Sequence, residues 1–183
     1  MDKLYSVIAQ TFTDNQQVFI DRGLQPVRQC DIYMGQADDA ESFELFLPGV
    51  FVDWNITPGE PGEQDILLVD FHVLQEPGTN SENYSERLTE SMQYLQTLKT
   101  VKYLMNRLRS TTSTPLTYNG ERPRITPFFK YHIVTYKCFI DSDEGSINRP
   151  TLTDTEPTEV DITGILKEKE IMREPNPIID TYK

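Results

Sequence analysis

Two histidines, two cysteines and one Asp-x-His step are the residues on which chemistry would have to rest. Asp70 and His72 stand two apart in a run that alternates apolar and polar side chains, so both point to one face of a strand. A carboxylate beside an imidazole is ligand-like. A zinc or similar site needs three or four such groups, and no His, Cys or Asp cluster stands near this pair in sequence. The pair therefore reads as a polar, solvent-facing step on a strand, and no metal or cofactor is expected. Cys30 and Cys138 are too few and too far apart for a disulfide framework. They read as half-buried thiols of a reducing compartment.

No G-x-S-x-G elbow occurs, nor a G-x-x-x-x-G-K-[ST] or G-x-G-x-x-G phosphate loop. Paired carboxylates carry no information in so acidic a chain. The expectation is a protein that is not an enzyme and works by binding other proteins. The alternative, a small cytosolic enzyme or ligand-binding domain, requires a deep pocket with polar groups converging around Asp70, His72 and His132.

Charge narrows the partners. Seventeen basic and 29 acidic side chains give a net charge of −12. Such a surface repels DNA phosphates and anionic lipid. No apolar stretch approaches the ~18 residues of a membrane span. The first residues, Met-Asp-Lys-Leu-Tyr-Ser, hold no run of signal-peptide length, so a cytosolic setting is expected. Residues 141–183 carry eleven acids and five bases, a net of −6 and half of the excess.

The elements follow from periodicity. Residues 2–12 read as a short helix, with Leu4, Ile8 and Phe12 on one stripe. Thr13-Asp14-Asn15 stops it. Val18-Phe19-Ile20 and Cys30–Met34 each suggest a short strand. Phe43–Leu47 leads into the turn dipeptide Pro48-Gly49. In Val50–Ile56 the residues Val50, Val52, Trp54 and Ile56 share one face, with Asp53 and Asn55 opposite. In Ile66–Leu74 the residues Val69, Phe71 and Val73 alternate with Asp70 and His72. These two strands are expected to pair antiparallel across the loop 57–64.

A long helix is predicted from Tyr84 to Arg109, with Leu88, Met92, Leu95, Leu98, Val101, Met105 and Leu108 at spacings of three and four. Its other face carries Arg87, Lys99, Lys102, Arg107 and Arg109, and the late cations suit the helix macrodipole. Asn119-Gly120 reads as a hairpin turn, and Phe128–Ile140 as the last strand. After Asp141 the patterning decays into Pro, Thr and acidic residues, with apolar spots at Val160, Ile162, Ile165 and Leu166.

The predicted fold class is thus α+β. An antiparallel sheet carries one long helix packed across it, a short N-terminal helix and a C-terminal extension. The domain covers residues 1–141, and residues 142–183 form an acidic linker or docking arm. The basic helical face and the apolar spots at 160–166 are the candidate interface residues.

This order of elements resembles that of the tail terminator (tail completion) proteins of long-tailed bacteriophages. The likeness covers about residues 1–141 and lies in layout. It comprises an N-terminal helix, the entry Leu47-Pro48-Gly49-Val50-Phe51-Val52, the stretch Asp70-Phe71-His72-Val73, the helix Ser85–Arg109, an Asn-Gly-type hairpin at Asn119-Gly120 and the final strand Tyr131–Ile140. The resemblance implies a structural virion protein that forms a ring with copies of itself, usually six. Such a ring caps the tail tube, ends its polymerisation and meets a head completion or connector protein. DNA passes its lumen without specific binding. It also implies assembly in the host bacterial cytoplasm and residence in the tail or neck of the virion. The long 13–42 segment and the extension after Asp141 depart from the pattern, and leave another neck or head–tail adaptor protein as an alternative.

Overall fold

A computed structural model describes residues 1–39, 41–60, 63–77, 86 and 88–140. The chain runs α1 (Asp2–Asp14), α2 (Gln16–Ile20), β1 (Gln29–Ile32), β2 (Gly49–Thr57), β3 (Asp65–Gln75), α3 (Leu88–Met105), β4 (Thr117–Arg124) and β5 (Lys130–Ile140). The five strands form one sheet in the order β1-β2-β3-β5-β4.

The amphipathic stripe of α1 buries Leu4, Ile8 and Phe12, as its spacing requires. Val18-Phe19-Ile20 is helix, not strand: it belongs to α2, which buries Phe19. A run of three apolar residues fixes no period, so tertiary packing of one phenylalanine decides its conformation. Gly23, at φ +70, closes this helix. The Leu24 N–H donates to the Phe19 carbonyl and the Gly23 N–H to that of Ile20, the left-handed cap that glycine adopts without steric cost.

The sheet is mixed, not wholly antiparallel, because β1 runs parallel to β2 with Cys30 opposite Val50. A parallel neighbour demands a crossover, and residues 33–48 supply it, with no helix among those described. β2 and β3 pair antiparallel as expected, Val52 opposite Phe71 and Asp53 opposite Asp70. The strand predicted within Phe128–Ile140 is β5, which pairs antiparallel with β3. Asn119-Gly120 does not turn the chain. It sits inside β4 at a bulge between Tyr118 and Gly120, and the hairpin closes over residues 125–129. A turn at 119–120 would leave Glu121–Arg124 without the strand partners they find from Val134 to Tyr131.

Both faces of the sheet are covered in part. On one face Val52, Val69, Phe71, Val134 and Tyr136 meet Leu4, Ile8, Phe19, Leu98, Val101 and Met105 in a single apolar cluster. Three helices contribute to that layer. On the other face the crossover closes a smaller core of Ala37, Phe51, Leu74, Tyr131 and Ile133, with Tyr33, Leu45 and Leu47 at its margin.

The long predicted helix is shorter at its C-terminal end. It stops at Met105, and Arg107 takes a left-handed conformation (φ 62). The Arg107 N–H then donates to the Leu116 carbonyl. Met92 and Leu95 lie on the predicted apolar stripe but are exposed, at 42% each. Thr97 and Thr100 are buried instead, and their hydroxyls donate back to the carbonyls of Gln93 and Gln96. This internal bond lets a threonine occupy an apolar position.

Candidate functional site

The late turns of α3 place its basic residues beside the edge strand β4. Lys99, Lys102, Tyr103 and Asn106 line a shallow groove of about 420 Å³ whose other wall is Tyr118 and Tyr136. Lys102 does not stand free in it. Its ammonium lies 2.8 Å from a Glu121 carboxylate oxygen and 5.8 Å from the centre of the Tyr118 ring. Lys99, Arg107 and Arg109 are exposed and enter no ion pair among the described residues. Arg87 and the apolar positions Val160, Ile162, Ile165 and Leu166 lie outside the described residues.

Sequence reasoning missed one member of this basic flank. Arg22, just after α2, lays its guanidinium 5.1 Å from the Tyr103 ring centre and donates to the Thr100 hydroxyl at 3.0 Å. No local signal marks this contact, since 78 residues separate Arg22 from Thr100.

A second surface lies at the far end of the same helix. Met92, Leu95, Pro123, Ile125 and Phe129 line an open cleft of about 490 Å³. Ile125 is fully exposed and Phe128, beside it, is half exposed. Exposed apolar side chains gathered at one place mark contact surfaces more often than isolated ones do.

β4 ends the sheet, and an end strand is a template for a further strand. This one is blunted by its bulge, by Pro123, and by Glu121, Arg122 and Arg124. Its side chains, more than its backbone, are what a partner would meet.

Asp70, His72 and His132 do not converge. Val73 stands opposite His132 and His72 opposite Ile133, so the two histidines point to opposite faces of the sheet. His72 is not solvent-facing. It is 6% exposed, stacked on Tyr33 with ring centres 3.8 Å apart, and its Nδ1 shares a hydrogen bond with the Tyr131 hydroxyl. The crossover, which carries no periodicity in sequence, provides that cover. Asp70 lies further along the same face, where it accepts from the Thr135 hydroxyl and lies 3.8 Å from Arg122. Asp53, Asn119, Arg122 and Thr135 share a shallow depression of about 270 Å³ with it. No group of three or more His, Cys, Asp or Glu able to hold a metal occurs among the described residues.

Burial pushes the Cys30 thiol up to about 12 and that of Cys138 to about 11. The thiolate is the reacting species. Neither cysteine is therefore expected to be alkylated by iodoacetamide in the native chain at pH 8, and both are expected to react in denaturant. Rapid native labelling counted by mass spectrometry would contradict the burial described here.

No protein-family model matches the chain, and no curated protein matches it.

Proposed function

We propose that the chain is a structural protein of a long-tailed bacteriophage, which closes into a ring with copies of itself and caps the tail tube. The order of elements carries this reading. An N-terminal helix, the β2–β3 hairpin entered through Leu47-Pro48-Gly49, the helix α3 and the long last strand β5 follow one another as in the layout on which the resemblance rests, while the hairpin before β5 turns at residues 125–129 and not at Asn119-Gly120.

In this reading α3 lies across the sheet and its basic flank faces a neighbouring copy. The apolar cleft at Met92, Leu95 and Ile125 is a second contact. The acidic tip between β2 and β3, with Glu60 and Glu63, faces the ring above or below. A net charge of −12 lets DNA pass the lumen without adhering, since phosphate contacts dominate affinity for DNA. The ring ends tube polymerisation by occupying the surface on which the next tube ring would form.

The test is electron microscopy of tail tubes assembled from phage tube subunits, with and without the full chain. Rings seated at tube ends, with tubes held to a uniform length, are expected. Tubes of unchanged length with bare ends would overturn the reading.

A further inference from the structure

The charges of this chain are sorted along the sequence, and the topology turns that sorting into two sides. Residues 29–77 contain eleven Asp and Glu and no Lys or Arg. Residues 99–140 contain eight Lys and Arg and a single acid, Glu121. The first segment builds β1, β2, β3 and the crossover. The second builds the end of α3, β4 and β5. In the sheet order β1-β2-β3-β5-β4 the acidic strands form one side and the basic strands the other.

The ion pairs between these charges among the described residues leave several of them exposed. Arg122 meets Asp70 and Arg124 meets Asp38, each at 3.8 Å, where the two sides adjoin. Glu121 is taken by Lys102. Lys99, Arg107 and Arg109 are left on the helix layer. Asp39, Glu41 and Glu44 are left on the crossover layer, exposed and in no ion pair among the described residues. The crossover packs on the face of the sheet opposite the helices, so one copy cannot bring these two groups together.

We infer that the partner these surfaces fit is a second copy of this chain, joined head to tail. The Lys99–Arg107–Arg109 surface of one copy meets the Asp39–Glu41–Glu44 surface of the next. Such a contact is heterologous: each copy uses two different surfaces, which gives a closed ring when the rotation permits. Opposite charges in register favour this orientation and disfavour like-on-like pairing. The inference deepens the ring reading above by naming the contact, but it does not need the phage setting.

Salt dependence separates this contact from general stickiness. Two copies each at −12 repel at long range, and that repulsion dominates at very low salt. At about 0.1 M the Debye length is about 10 Å, so distant repulsion fades while charges in contact still attract. At about 1 M it falls to about 3 Å and the contact pairs weaken as well. Association is therefore strongest at intermediate salt.

The experiment is the mass of the full chain by sedimentation across these salt concentrations, for wild type and two charge-reversed variants. K99E/R107E/R109E and D39K/E41K/E44K are each expected to be monomeric, with circular dichroism unchanged. Mixed in equal amounts they are expected to associate again, because each then offers the other a complementary surface. A wild-type chain monomeric at every salt concentration would overturn the inference, as would association that survives both reversals. A loss of association in both variants that mixing fails to restore would also overturn it. Capping of tail tubes despite such a result would leave the phage reading standing. Restored association without tube capping would defeat that reading and leave the head-to-tail contact intact.

Discussion

Replacing Phe71 by alanine is expected to destabilise the domain by about 3–5 kcal/mol, the range seen for fully buried aromatic truncations. Phe71 sits at the middle of β3, the central strand, with no exposed surface. Its ring meets that of Tyr136 edge-on, centres 5.6 Å apart and planes at 90°. Its cross-strand neighbours are Val52 and Val134, whose branched side chains have restricted χ1 and cannot swing into the void. The lost contacts therefore stay lost. Against a typical stability of about 5–15 kcal/mol this is a large fraction. Urea unfolding should show a lower midpoint at unchanged slope. Phe128→Ala, in the half-exposed β4–β5 turn, is the control and should change stability by less than about 0.5 kcal/mol. Equal effects at the two positions would mean that the helix layer does not pack on Phe71.

The contrast between these phenylalanines follows what the sequence could reveal. Where burial is decided by a local period, it was legible. Leu4, Ile8 and Phe12 announced α1, and the alternations around Val52, Val69 and Val134 announced β2, β3 and β5. Where burial depends on a segment far away in the chain, no local pattern carried it. Phe19 packs because helices and sheet meet there, and its three-residue run suggested a strand. β1 pairs parallel to β2 through a crossover whose apolar residues, Tyr33, Ala37, Leu45 and Leu47, follow no period. That crossover is also what hides His72: the strand alternation sets which face the histidine occupies, but only the crossover, through Tyr33, determines that this face is covered. The basic residues of α3 were visible as a composition, but Arg22 beside them and Glu121 against Lys102 were not. Charge sorting between the two sides of the sheet needs the strand order as well as the sequence, because it is the order β1-β2-β3-β5-β4 that keeps the two segments apart.

The buried histidine gives the second large effect, a loss of stability on acidification that begins near neutral pH. Burial lowers the pKa of His72, and Arg122 and Arg124 push it the same way, while Asp70 and Asp53 oppose them. Its Nδ1 is engaged by Tyr131 and its Nε2 makes no hydrogen bond among the described residues. The protonated ring would carry two N–H groups, and the one at Nε2 has no acceptor among the described residues, inside a core closed by Tyr33, whose hydroxyl donates to Asp38. The unfolded chain takes up this proton near its ordinary value of about 6.5, and the folded chain resists until lower pH. Stability is therefore complete above about 6.5 and is lost as the pH falls from there toward the folded value. The slope is at most about 1.4 kcal/mol per pH unit for one group. His132, on the opposite face near Tyr94, is shifted down as well, chiefly by burial, so the two histidines act in the same sense. H72Q removes one titration while keeping a polar side chain within reach of Tyr131. Urea midpoints measured from pH 7.5 to 5 should fall more steeply for the wild type than for H72Q. Parallel curves would show that His72 is hydrated in both states, and would remove the crossover as its cover.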